Sequence, residues 1–289
     1  MIKGLFKTMR PRQWTKNIFI FAALVFDKQL FVLDSFVRTL EGFALFCLIS
    51  SAVYIFNDLA DIEADRQHPQ KKNRPIPAGQ LPVSAAWIAG ILLVAVVLGL
   101  GYQISATFAG VVGAYFIINM AYSLWLKHIP IVDVLIISAG FVLRVAAGVT
   151  LIQVERFSPW LYMVMTLLSL FLGFGKRRAE LSLLARGAGS HRKVLDGYTL
   201  PLLDQYITIV SGTTIVAYSL YTFSAPNLPQ NHAMMLTIPF VVYTIFRYLY
   251  LIHVEQAGGA PEDILLTDRP FQIAMILWAA TVLTVFYLS

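Results

Sequence analysis

The sequence predicts an all-α, polytopic membrane protein with nine transmembrane helices. Three observations lead there. Of 289 residues, 58% are hydrophobic and 13% are charged, against roughly 25% charged in an ordinary soluble domain. Apolar runs of membrane-spanning length recur along the whole chain, and the mean hydropathy is +0.70. The polar segments between those runs alternate in charge, as the two sides of a bilayer require.

The spans are placed at residues 17–33, 39–56, 84–102, 107–126, 131–152, 160–175, 206–223, 234–252 and 271–288. The first follows Lys3, Lys7, Arg10, Arg12 and Lys16, a basic start read as retained and cytoplasmic. The second is expected to run as one continuous helix into an acidic stretch at 57–65. The third and fourth are separated by a short outer turn at Gly99-Leu100-Gly101. The fifth carries Arg144 well inside it, and the sixth closes on Gly175-Lys176-Arg177-Arg178-Ala179-Glu180. The eighth contains Pro239 without a clear counterpart elsewhere, which weakens a transporter reading based on repeated interrupted helices. Spans shorter than ~20 residues are expected to continue beyond these limits as helix.

Counting Arg247 at the end of the eighth span, 18 of the 22 Lys and Arg fall in the N-terminus and in or beside the loops 57–83, 127–130, 176–205 and 253–270; Lys28, Arg38, Arg144 and Arg156 are the exceptions. Basic loops stay inside, so the N-terminus is expected in the cytoplasm and the C-terminus outside, in a bacterial cytoplasmic (inner) membrane. The inner loops are the long, ionisable ones, which puts the expected active site on the cytoplasmic face. With no appended soluble segment, residues 1–289 are read as one integral-membrane domain. Cys47 is the sole cysteine and lies in an apolar run, so neither a disulfide nor a cysteine metal site is expected.

The chemistry concentrates at Asn57-Asp58-x-x-Asp61-x-x-x-Asp65. Spacings of i, i+3 and i+7 place Asp58, Asp61 and Asp65 within an arc of about 60° on a helix. Three like charges on one stripe repel unless a cation sits among them, and hard oxygen ligands suit Mg²⁺ shared with a substrate phosphate. A merely solvated helix end is the plainer account; Asp is a weak helix former, which counts against it. Downstream, Arg74 is fixed beside Pro75 and reads as a basic lid over phosphates, whereas Lys71 and Lys72 read as topology charges.

At the end of span six, Lys176, Arg177 and Glu180 share an arc of about 100°, while Arg178 points elsewhere. The three are candidates for holding phosphate and positioning a hydroxyl; Arg178 is read as an ordinary border charge. Arg12, Lys16 and Asn17 are candidates for a lipid head group, with Trp14, and Arg10 in part, as interfacial anchors. Tyr122, Lys127 and Asp133 border the same face and are candidate substrate contacts. Arg144 demands a function or a fixed partner, because an isolated intramembrane charge is costly. Asp133 is about 17 Å away along the helix, too far to be that partner. Pro261-Glu262-Asp263-Ile264 and Asp268-Arg269 suggest a second polar wall, with an N-cap as the plain role for Asp268.

With nine spans and this Asp motif after the second, the chain resembles the UbiA superfamily of intramembrane prenyl-lipid enzymes. Most members carry a second Asp-rich motif after span six. Here Lys176-Arg177-Arg178-Ala179-Glu180 stands in that place. Together with Arg10-Pro11-Arg12-Gln13-Trp14, Arg74-Pro75-Ile76 and the 261–269 loop, this resembles the branch that moves a phosphoribosyl group. The resemblance implies phosphoribosyl diphosphate as donor, a polyprenyl (decaprenyl) phosphate as acceptor and Mg²⁺ as cofactor, as in cell-wall arabinose donor synthesis. It also implies Asp58, Asp61 and Asp65 on the metal, Asp58, Asp61, Lys176, Arg177 and Glu180 in catalysis, and Asn57 and Arg74 among the substrate contacts. Partners are then these two substrates and the bilayer, with no nucleic acid and self-association left open. The alternatives are a UbiA-type transfer of a prenyl group from prenyl diphosphate, and a lipid transporter.

Overall fold

The structure, a computed structural model, describes residues 1–154, 158–185, 193–225, 228–255, 264 and 266–287. Helices make up its regular structure, with no strand among the described residues. Eight helices there are long and apolar enough to cross a membrane. The chain divides into two compact units, Met1–Val25 with Gln29–Lys127 and Leu143–Val154, and Phe26–Lys28 with His128–Val142 and Glu155–Ser289.

The first unit opens with a short helix, α1 (Ile2–Thr8), and an 11-residue 3-10 helix, Pro11–Phe21, that passes into α2 (Ala22–Phe26). The first of the nine expected spans is therefore not a continuous α-helix. The reason lies in a period of three: Trp14, Asn17 and Ile20 fall on one edge of a 3-10 helix, and all three are engaged with the unit's interior. Trp14 Nε1 donates to Ser51 Oγ at 3.0 Å, Asn17 is fully buried, and Ile20 joins the core.

The unit's main helix, α3 (Leu33–Ala60), has 28 residues and is about 42 Å long, more than the ~30 Å hydrocarbon core needs. It ends at Asp61, whose φ of −96° and ψ of 7° separate it from the six-residue α4 (Ile62–Gln67). The stripe 57–65 is thus a broken helix rather than the single one expected. α5 (Val83–Ile104) and α6 (Ala106–Leu124) pack on α3. Gly99-Leu100-Gly101 lies inside α5; the turn falls at Ser105, whose hydroxyl caps α6 by accepting from Phe108 N at 3.3 Å. Phe46, Ile49, Val97, Phe108, Val112 and Ala147 form the core, while Ile88, Ile91 and Leu92 face outward as lipid-soluble surface requires. Gly148, near the end of α7 (Val132–Val149), allows a close approach: a Cβ there would lie 2.0 Å from the Ile20 carbonyl oxygen.

The second unit takes the first part of α7 together with α8 (Pro159–Ala185), α9 (Leu200–Ser224), α10 (Ile238–His253) and α11 (Arg269–Tyr287). Its core joins Phe171 and Phe174 of α8 to Leu203, Ile207 and Val210 of α9 and Ile245, Tyr248 and Leu251 of α10. Pro239 sits in the first turn of α10, after a 3-10 segment Ala233–Thr237, where its missing N–H costs nothing. Asp268 caps α11 through Phe271 N at 2.8 Å. It also takes Arg247 Nη2 at 2.7 Å, and that guanidinium holds its carboxyl below the usual range. The sign follows: the pairing stabilises the fold above about pH 4 and is lost as pH falls through the depressed value.

Candidate functional site

In the first unit the broken helix brings two of the three aspartates together and parts them from the third. Asp58, at the end of α3, and Asp65, in α4, are 1% and 2% exposed. One nitrogen of Arg74, Nη1, reaches both, at 3.1 Å from Asp58 Oδ1 and 2.6 Å from Asp65 Oδ2. Arg10 Nη2 adds a second donor to Asp58 Oδ1 at 2.5 Å, with its guanidinium stacked 4.7 Å over the Tyr54 ring. Lys71 Nζ stands 3.9 Å from Asp65 Oδ1. Asp61 faces Lys127, whose Nζ donates at 2.8 Å, and takes Asn57 Nδ2 at 3.4 Å.

Burying two carboxylates costs several kcal/mol each unless cations compensate. Here the carboxylates lie inside while Arg10 and Arg74 remain about a quarter exposed, so the accessible side of the cluster is positive. Among the described residues no group of three or more His, Cys, Asp or Glu converges as a metal site. Asp58 and Asp65, however, already share one positive centre. Two carboxylates plus substrate oxygens are a usual Mg²⁺ environment, so this pair fits the ion. Asp61, paired with Lys127, joins it only by releasing that lysine.

Deeper in the same unit, Arg144 finds the fixed partners its position demands. Its Nε donates to Asn17 Oδ1 at 2.8 Å and its Nη2 to the Tyr115 hydroxyl at 3.0 Å, with the guanidinium 4.9 Å from the Tyr115 ring centre. Asn17 in turn donates to Cys47 Sγ and Ser50 Oγ. Sequence reasoning singled out Asn17 and Arg144 separately and missed Tyr115, because nothing local ties positions 17, 115 and 144.

The second unit holds a second cluster. Asp133, with no exposed surface, accepts Arg177 Nε at 2.6 Å; Arg177 Nη1 reaches Glu180 Oε2 at 2.6 Å, across one helical turn. Arg177 is 2% exposed and the Glu180 side chain 20%. Tyr198, which the sequence did not flag, donates to Asp133 Oδ1 at 2.8 Å and accepts from Ile131 N at 2.5 Å. Burial pushes its phenol well above the ordinary range, so it keeps its proton. Ile131 has φ +70°, a region that penalises a β-branched residue, and the bond its N–H donates to Tyr198 helps hold it there. Tyr198→Phe should therefore cost about 1–3 kcal/mol, the range for stranding a buried polar group, read as a lowered midpoint of thermal unfolding.

The remaining candidates are placed as follows. Lys176 and Tyr122 are half-buried, as is Lys16, while Arg12 is exposed. Arg178 is more than a border charge: it donates to Asp204 Oδ1 at 2.5 Å and to the Ile252 carbonyl at 3.0 Å, tying α8 to α9 and α10. Pro261, Glu262 and Asp263 lie outside the described residues.

The profile of the UbiA prenyltransferase family matches residues 18–261. The chain belongs to this family. This UbiA-family chain is 34% identical to the decaprenyl-phosphate phosphoribosyltransferase of Mycolicibacterium smegmatis, over 100% of its own length and 94% of that protein. It is 33% identical to the protein of the same name from Corynebacterium glutamicum, over 99% and 87%. Among solved structures, a UbiA homologue from Archaeoglobus fulgidus bound to DMAPP and Mg²⁺ superposes with a TM-score of 0.71, covering 99% of each chain at 18% identity. That likeness is one of fold. With eight helices among the described residues long and apolar enough to cross a membrane, this UbiA-family chain is a multi-pass membrane protein.

Proposed function

We propose that this protein transfers the 5-phosphoribosyl group of phosphoribosyl diphosphate to a polyprenyl phosphate in a bacterial cytoplasmic membrane, with release of diphosphate. The full-length similarity to two proteins named for that activity carries the reading. The cationic, carboxylate-backed cluster of the first unit supports it, because two phosphorylated substrates bring more negative charge than one.

In this reading Asp58 and Asp65 would hold Mg²⁺, which when bound offsets charge on the departing diphosphate. Arg74 and Lys71 supply further positive charge to the same group. The acceptor phosphate is already an anion near neutral pH, so the chain need not supply a general base. In the second unit Lys176 and the partly exposed edge of Glu180 meet substrate. Arg177, whose Nε and Nη1 both lie on carboxylates, positions Glu180 rather than binding phosphate itself. The basic loops set the N-terminus and the site on the cytoplasmic side and the C-terminus outside.

The A. fulgidus structure with DMAPP favours a second reading, prenyl transfer from a prenyl diphosphate. Purified protein given Mg²⁺, an acceptor and each donor in turn separates the two. Diphosphate release from phosphoribosyl diphosphate alone is expected; release from prenyl diphosphate alone would overturn the proposal.

A further inference from the structure

We propose that Arg10 is a diphosphate-binding side chain of this site, parked on Asp58 and aimed by the N-terminal helix α1. The inference rests on the reading that Asp58 and Asp65 hold a metal–diphosphate.

Asp58 Oδ1 is doubly served, by Arg10 at 2.5 Å and by Arg74 at 3.1 Å. Two buried carboxylates here face Arg10, Arg74 and Lys71, one positive charge more than compensation requires. Arg74 alone already spans both aspartates. Arg10 is therefore the arginine that can leave without uncovering a carboxylate.

The backbone points the same way. Arg10 has φ +53° and ψ +61°, a left-handed conformation that a non-glycine residue avoids and that a following proline makes less favourable still. The chain on both sides is pinned independently of its guanidinium. The Ser51 hydroxyl donates to the Met9 carbonyl at 3.1 Å and accepts from Trp14 at 3.0 Å. Leu5 and Met9 pack with Ile55, Leu59, Ile76 and Leu81. Strain held between two fixed points aims a side chain that is not needed as an anchor.

The two arginine-bearing segments also ride together. Gly4 of α1 lies so close to the loop after Arg74 that a Cβ would sit 3.0 Å from the Gln80 carbonyl oxygen. Arg10 and Arg74 thus belong to one packed assembly, and the stack on Tyr54 leaves the guanidinium edge to its partners. A planar fork of this kind suits non-bridging phosphate oxygens, which it can bind in pairs. When a metal–diphosphate takes Asp58, the N–H donors of Arg10 pass from the carboxylate to the diphosphate.

The test is calorimetric, on the full-length protein in lipid nanodiscs, titrated with Mn²⁺ alone and with inorganic pyrophosphate plus Mg²⁺. Arg10→Gln should weaken Mg–pyrophosphate binding by about tenfold or more, the loss of one charge-assisted bond, while binding Mn²⁺ alone at least as tightly as the parent. Arg10→Lys should recover part of the loss, with the unfolding midpoint unchanged in both. Unaltered pyrophosphate affinity in Arg10→Gln would overturn the proposal, as would equal losses for Mn²⁺ and pyrophosphate with a lowered midpoint, which mark a structural brace. Failure of the phosphoribosyl reading looks different: pyrophosphate binding depends on Arg10, yet no ribose is transferred.

Discussion

Arg177→Gln is expected to leave little folded protein. Arg177 joins two carboxylates within the second unit, and Asp133 has no exposed surface through which water could replace the lost partner. Removing one member of a buried pair typically costs about 3–5 kcal/mol, a large share of the roughly 5–15 kcal/mol by which domains are stable. The loss should appear as a lowered unfolding midpoint and poor recovery of monodisperse protein in detergent. Arg177→Lys should rescue little, because Nε and Nη1 bond different carboxylates and an ammonium lacks that fork. The paired change Asp133→Leu with Arg177→Met should recover part of the stability, since an apolar pair of similar volume leaves no buried charge in their place, while Tyr198 loses its acceptor. A single Arg177→Gln variant with parental stability and a raised donor KM would instead make Arg177 a direct phosphate ligand.

The second large effect is expected at Asp58. Asp58→Asn keeps shape and one acceptor oxygen for Arg10 and Arg74, so the fold should survive. It removes half of the carboxylate pair proposed to hold the metal. Loss of about 4 kcal/mol of charge stabilisation at the leaving group corresponds to about a thousandfold in rate. Turnover measured against unfolding midpoint separates the two roles. Near-normal turnover in Asp58→Asn would remove the metal assignment, and loss of fold would reduce Asp58 to an anchor for two arginines.

Helix positions were legible in the sequence because apolar length is a local quantity; eight helices among the described residues, long and apolar enough to span, overlap the expected runs. The first span was not, since Trp14, Asn17 and Ile20 disclose their period of three only against α3. The Asp stripe was legible as a cluster but not in its division, because the break at Asp61 sends one carboxylate to Lys127 and leaves two on Arg74. Arg178 looked like a topology charge because Asp204 and the Ile252 carbonyl are remote in sequence. Tyr115 and Tyr198 escaped notice, and Arg10 was read only as an interfacial anchor, for the same reason: each acquires meaning from a partner on another element. The period-three edge at 14, 17 and 20 is the one missed signal that the sequence itself carries.

The central claim concerns which group moves. Phosphoribosyl diphosphate labelled in the ribose, incubated with Mg²⁺, a polyprenyl phosphate and the purified protein, should pass its label into the organic phase in proportion to acceptor. Asp58→Asn should abolish the transfer. Label that stays in the aqueous phase, while a labelled prenyl diphosphate gives up its prenyl group to a small acceptor under the same conditions, would contradict the account.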